Sequence, residues 1–151
     1  MRILVQRVSA ASVVVADVEI SKIGHGLLIF VGVEPDDTDE DLTWLVKKIS
    51  ALRIFSDAAG LMNLCVQEIE GGALLVVSQF TLHASTKKGN RPSFIRAARP
   101  EFAIPKYEKF VEMLAHESGC VVKTGQFGAD MKVSLTNDGP VTIWIDSKNR
   151  E

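Results

Sequence analysis

The stretch Leu27–Leu52, "LLIFVGVEPDDTDEDLTWLVKKISAL", changes its hydrophobic period partway along, and that change decides the fold class. Leu27 to Val33 is apolar without alternation, as expected of a strand covered on both faces. Gly24-His25-Gly26 precedes it as a turn signal, which makes His25 a turn residue. Beyond the acidic run "DDTDED", Leu42, Leu45, Val46, Ile49 and Leu52 recur at helical spacing. Thr38 stands where an N-cap belongs, and the surrounding acids suit the positive end of a helix dipole. A buried strand leading into an amphipathic helix means that sheet and helix share a core.

Working outward, Ile3–Val8 and Ser12–Val18 read as short β-branched strands. "RIFSDAAGLMNL" from Arg53 reads as a short strand and a loop turning at Ala59-Gly60, and Ala73–Thr81 as an apolar strand after the Gly71-Gly72 break. A second helix is expected to open near Pro105, to place Tyr107, Phe110, Val111 and Leu114 on one face, and to stop at Gly119. His116, near its end, suits the dipole there. Cys120–Thr124, Met131–Thr136 and Val141–Ile145 close the chain as strands. The elements lack a regular βαβ alternation. The expected architecture is therefore α+β, a curved, barrel-like, mixed or antiparallel sheet covered by two helices, forming a single domain over residues 1–151.

Hydrophobic residues make up 46% and charged residues 24%, a composition that folds instead of remaining disordered. No apolar run approaches the roughly 20 residues of a membrane span, and "MRILVQRVSA" has no signal-peptide core, so a cytoplasmic protein without membrane contact is expected. Cys65 and Cys120 belong to no CxxC or metal-like cluster; no disulfide, metal or cofactor is expected. Seventeen basic against 19 acidic residues leave a net charge of −2 and no global case for nucleic acid, DNA included. Locally, Lys87, Lys88, Arg91, Arg96, Arg99 and Lys106 face a single Glu101. This stripe is either a set of phosphate contacts or a solvated basic loop.

Two stretches could carry chemistry. "SQFTL", Ser78–Leu82, ends an apolar strand, where rigidly held polar groups can line a cleft. Ser78 and Thr81 offer hydroxyls, Gln79 could orient a carbonyl, and backbone N–H groups could stabilise an oxyanion. His83 would share a face with Thr81 if the strand continued, but no carboxylate stands out to orient it. The alternative is a strand that turns polar on meeting solvent. The second stretch is "NDGPVTIWI", Asn137–Ile145, where Asp138-Gly139 resembles a hairpin turn and Pro140 falls at the start of the returning strand. The tip of such a hairpin would present Gly139-Pro140 as a stiff projection, and base frequencies favour a trans bond there.

These motifs together resemble the D-aminoacyl-tRNA deacylases. The resemblance is carried by "QRV" at Gln6–Val8 with the following "ASV", by "RIFSDAAGLMNL", "SQFTL" and "KKGNRPSF" from Lys87, and by "FGADMKVSLTNDGPVT" from Phe127, in order along nearly the whole chain. It implies a homodimer that hydrolyses the ester joining a D-amino acid, or glycine, to the terminal ribose of tRNA. It further implies a cis Gly139-Pro140 pair that enters the partner's active site and excludes L-residues, held by Arg7, with Met131, Val141 and Thr142 contributing to substrate binding. Ser78, Gln79, Phe80 and Thr81 would form the catalytic segment that receives the ester. The 2′-OH of the tRNA would do the chemistry, so that no Ser or Thr need be a nucleophile. Lys87, Lys88 and Arg91 become candidate tRNA contacts.

Overall fold

Residues 2–15 run as one long strand where the sequence reading expects two shorter ones, Ile3–Val8 and Ser12–Val18. In the computed structural model, which describes residues 1–150, β1 spans Arg2–Val15 and pairs antiparallel with the last strand, β8 (Met131–Asp146), from Arg2 opposite Asp146 to Val15 opposite Met131. On its other edge β1 changes partner. Arg2–Val8 pairs with β3 (Gly26–Gly32), and Ala11–Val15 with β2 (Val18–Ile23). The polar, small residues Ser9 to Ala11 mark that change of partner and not a strand end.

β3 continues into parallel pairing with β6 (Ala73–Ser78), and β6 into parallel pairing with β7 (Val121–Thr124). Helix α1 (Asp39–Ser50) lies between β3 and β6 along the chain, and α2 (Pro100–Ser118) between β6 and β7. Half of the mixed sheet is thus a βαβαβ unit, a regularity hidden in the sequence by the small hairpin of β4 (Phe55–Ser56) and β5 (Met62–Leu64) and by the long loop before α2. The sheet curls until Ser21 Oγ on β2 donates to the Thr124 carbonyl on β7 at 2.7 Å, which brings its two ends together as the barrel-like expectation requires.

The two-sided burial read from Leu27–Val33 is present. Leu27, Ile29 and Val31 join Leu45, Ile49, Phe110 and Leu114 in a core beneath the helices, while Leu28 joins Val13, Leu75 and Val77 in a second core inside the curl. Helix α1 begins as expected: the Thr38 amide and hydroxyl each donate to Asp41 Oδ2 at 2.8 Å. Burial pushes the Asp41 carboxyl up, but hydrogen bonds from Thr38, Ser147 and Lys148 outweigh it and hold the carboxyl well below the usual range.

Three boundaries differ from expectation. β6 ends at Ser78, and Phe80–His83 forms a 3-10 turn. Helix α2 opens at Pro100, in its first turn, so Pro105 lies inside the helix. There its missing N–H forgoes one backbone bond, a cost offset by burying Ala103, Tyr107, Phe110 and Leu114 along a single face. Lastly, Met131–Asp146 is no hairpin; it is one strand, with Gly139-Pro140 bulging from its middle.

Candidate active site

Parallel pairing of Val31 with Ser78 brings the end of β6 beside the end of β3, where the Gln79 amide donates to the Val31 carbonyl at 2.7 Å. The chain then turns tightly: Leu82 N–H donates to Gln79 O and Ala84 N–H to Thr81 O, while Arg2 Nη1 reaches Leu82 O at 3.2 Å. A cleft of about 290 Å³ opens beside this turn, lined by Ser78, Gln79 and Phe80, by Met131, and by the apolar surfaces of Val31 and Tyr107 among others. Tyr107 is fixed by donating its hydroxyl to Val76 O at 2.8 Å, and burial pushes that phenol's pKa up.

Of the four residues in the expected catalytic segment, Ser78, Gln79 and Phe80 line the cleft and Thr81 does not. The Thr81 hydroxyl accepts a hydrogen bond from Gln79 Nε2. His83 does not share a strand face with Thr81, because the strand has already ended; its ring is fully buried. The carboxylate that the sequence did not reveal is Glu34, whose Oε1 lies 3.2 Å from His83 Nδ1. That contact lacks hydrogen-bond alignment, and neither ring nitrogen has a well-aligned partner. Burial pushes the His83 pKa below its ordinary value, and the ring is enclosed in the core.

Gly139 and Pro140 lie elsewhere on the surface. Moving from Gln6 to Val8 on β1 is matched by moving from Thr142 to Asn137 on β8, so two steps face five and the extra residues loop out. The Gly139-Pro140 peptide bond is cis, and both residues are exposed. The base of the bulge is pinned from three sides. Arg7 Nε donates to the Asp138 carbonyl at 2.8 Å, Arg7 Nη1 donates to Ile54 O, and Asn137 Nδ2 reaches both Arg7 O at 2.9 Å and Val141 O at 3.0 Å. A Cβ at Gly139 would sit 2.4 Å from Asn137 Oδ1 and 2.8 Å from Val141 N, so only glycine fits. Val141 is buried in the core beneath the helices, and Thr142 Oγ1 accepts from Gln6 Nε2 at 3.1 Å. His25, besides occupying its turn, lies 3.6 Å from Asp138 Oδ2 and packs edge-on against Phe55. Neither Gly139 nor Pro140 lines the cleft at Ser78–Phe80.

The basic stripe divides in two. Arg96 Nη2 pairs with Glu34 at 2.6 Å, and Lys106 pairs with Asp39, whose carboxyl Lys106 and Lys109 together hold at about 2. Lys87, Lys88 and Arg91 are exposed on a hairpin closed by reciprocal backbone bonds between Ser85 and Ser93, and among the described residues no ion pair engages them. Glu34, Asp36 and Asp37 bring carboxylate oxygens within 4.8 Å of one another. Two of these are already engaged: the Met1 ammonium and the Glu34 amide bind Asp37, and Arg96 binds Glu34. No helix is long and apolar enough to cross a membrane.

Asn137, Asp138 and Glu34 are the functional candidates that sequence reasoning missed. Asn137 and Asp138 look like ordinary turn residues, and Glu34 like the first solvated residue after a strand; their partners, Arg7, Arg96 and His83, are remote in sequence.

A barrel-like mixed sheet under two helices, with a largely apolar cleft at a strand end and a pinned Gly-Pro projection, defines an α+β protein of the barrel-like class. The family model for D-Tyr-tRNA(Tyr) deacylase matches residues 4–146, and the chain belongs to that family. It is 60% identical over 151 residues to a D-aminoacyl-tRNA deacylase of Flavobacterium johnsoniae and 61% identical to one of Akkermansia muciniphila, covering all of both chains in each case. Among solved structures it is similar to one titled c-Myc DNA Unwinding Element Binding Protein, with 40% identity, a TM-score of 0.89, and 97% of this chain and 98% of that one covered. A probable eukaryotic D-amino acid tRNA deacylase, 18% identical, shares the fold, with a TM-score of 0.81 and coverage of 95% and 97%.

Proposed function

We propose that the protein is an ester hydrolase of D-aminoacyl-tRNA, and of glycyl-tRNA, that works as a homodimer. In this reading Gly139-Pro140 of one subunit enters the partner's cleft and crowds the side chain of an L-residue, while a D-residue or glycine points away from it. The carrying observation is a division of parts. Ser78–Phe80 line a cleft in which, among the described residues, Ser78 is hydrogen-bonded to no base and the one carboxylate, Asp130, pairs with Lys132, whereas the pinned Gly139-Pro140 bulge is exposed and outside that cleft.

The chemistry follows from what the cleft offers. Its walls are largely apolar, and its polar residues include Ser78, Gln79 and Asp130; the Asp130 carboxylate is exposed and paired with Lys132, whereas Gln79 and the main chain of the turn can place and polarise an ester carbonyl. In this reading, which the family resemblance supplies, the 2′-OH beside the ester on the terminal ribose takes part in the reaction, and the protein's share is position. Rejection in place of selective attraction suits such a site, since a D- and an L-residue offer identical groups to bind and differ only in where the side chain projects.

The deciding experiment compares D-Tyr-tRNA, L-Tyr-tRNA and Gly-tRNA with the purified protein. Release of D-tyrosine and glycine with the L-ester intact is the expected result. Equal turnover of the D- and L-esters would overturn the gauge, and tight binding of charged tRNA without ester loss would make the protein a binding module.

A further inference from the structure

The tip of β3 organises more than its own strand. Val31 O accepts from Gln79 N–H at 2.7 Å, and Val33 O accepts from Ala98 N–H at 2.8 Å, so consecutive outward-facing carbonyls hold the chain entering the 3-10 turn and the chain approaching α2. Between those two anchors runs the basic hairpin with Lys87, Lys88 and Arg91. The next residue is Glu34. Its carboxylate, only 6% exposed, faces His83 on the stem that enters the hairpin and binds Arg96 on the stem that leaves it. Glu34 is itself fixed, because its amide donates to Asp37 Oδ2 at 2.7 Å and Asp37 is bound by the chain's first ammonium group.

We propose that Glu34 is a positioning residue that clamps the departing stem of the 85–93 basic hairpin through Arg96, against the buried His83 ring of the entering stem, and so sets where the hairpin's cations stand relative to the Ser78–Phe80 cleft. The hairpin's own closure, two backbone bonds between Ser85 and Ser93, keeps its strands together but does not orient it on the body of the protein. A loop carrying three unpaired cations has freedom to fold back or to splay away. Arg96 bound to a buried carboxylate removes that freedom at the departing stem, while the entering stem is held by packing of the fully buried His83 ring, 3.2 Å from Glu34 Oε1 without hydrogen-bond alignment. A charge-assisted pair to a buried carboxylate holds more strongly than a neutral hydrogen bond would, although Arg96 itself is half-exposed. The consequence for function is geometric: a tRNA whose phosphates rest on the hairpin has its 3′ end delivered to the cleft at a set distance. This inference rests on the reading that this face receives charged tRNA.

The test is a double-mutant cycle on D-Tyr-tRNA hydrolysis at low salt, with Glu34→Gln and with Lys87→Ala/Lys88→Ala/Arg91→Ala, alone and combined. Glu34→Gln should raise KM about tenfold, leave kcat within about threefold, and add less than about twofold when the hairpin is already neutral. Additive effects would overturn the clamp, since damage of a general structural kind does not depend on the hairpin's charge. Melting each variant shows that it is folded. If Glu34→Gln fails to fold, Arg96→Gln carries the same cycle, because Arg96 is half-exposed and its loss opens the same clamp. Should Arg96 contact tRNA directly, its removal would instead lower the salt slope of KM by about one in both backgrounds, and that too overturns the clamp. A wild-type protein that does not hydrolyse D-Tyr-tRNA would remove the underlying reading, a result distinct from an active wild type with an additive cycle.

Discussion

Arg7 and Asp138 are joined twice: Arg7 Nε donates to the Asp138 carbonyl at 2.8 Å and lies 3.0 Å from the Asp138 carboxylate. The contact spans two neighbouring strands and sits at the root of the Gly139-Pro140 bulge. Replacing Arg7 by Ala removes a charge-assisted pair worth about 1.5–3 kcal/mol. The bulge loses its main tether to β1. Expected is a fall of about tenfold or more in the ratio of kcat/KM for D-Tyr-tRNA over L-Tyr-tRNA. An unchanged ratio would detach Arg7 from selectivity.

Thr81 is outside the cleft and its hydroxyl is occupied by Gln79 Nε2. Thr81→Ala should therefore keep hydrolysis of D-Tyr-tRNA within about tenfold, the range of a lost positioning contact. The same ester on a terminal ribose lacking its 2′-OH should resist the wild-type protein. Rapid turnover of that deoxy substrate would return the nucleophile to a side chain.

Tyr107→Phe removes one of two donors to Val76 O, which keeps the Gly125 N–H at 2.9 Å, so the loss costs about 0.5–1.5 kcal/mol. Thermal melting should report it as a drop of about 1–6 °C, at about 2–4 °C per kcal/mol for a chain of this size. Because the hydroxyl points at Val76 O, kcat should be little altered. A large loss of kcat with unchanged melting would instead give the phenol a part in the reaction.

His83 gives the protein a defined acid sensitivity. Burial holds its folded pKa below the ordinary 6.5, so on acidification the unfolded chain takes up a proton that the folded chain refuses. Stability from this source is complete above pH 6.5 and falls as pH drops below it towards the folded value. Native carboxylates such as Asp41 and Asp146, also held low, lose their contribution only further down, below the ordinary 3.8. Urea denaturation between about pH 6.5 and 5 should thus show a shallower slope for His83→Asn than for wild type. Parallel slopes would mean that His83 protonates equally in both states.

Much of the fold was legible because it rests on periodicity. The apolar run at Leu27–Val33, the helical spacing from Leu42 and the glycine at 119 each report a local preference that the folded chain satisfies. The misread elements are those where a local signal lost to a distant partner. Ser9–Ala11 looked like a break, but β8 pairs across it; Pro105 looked like a start, but the buried face beginning at Ala103 extends the helix past it. Asp138-Gly139 looked like a hairpin turn, yet pairing of β1 with both halves of β8 absorbs it as a bulge.

For the site, residue types along the chain were enough to pick out Ser78–Thr81 and the Gly-Pro pair as candidates, since a polar end to an apolar strand and a proline inside a strand pattern are visible without coordinates, whereas Arg7 entered only through the family resemblance. Thr81 could not be separated from its neighbours until the chain was seen to leave the strand at Ser78 and tie that hydroxyl to Gln79. Glu34, Asn137 and Asp138 acquire meaning only through Arg96, Arg7 and His83. Hydrophobic period is a property of neighbours in sequence and can be read one segment at a time. Ion pairs and main-chain clamps join segments far apart in the chain, and they exist only once the sheet has closed and brought β1 against β8 and the end of β3 against the turn after β6.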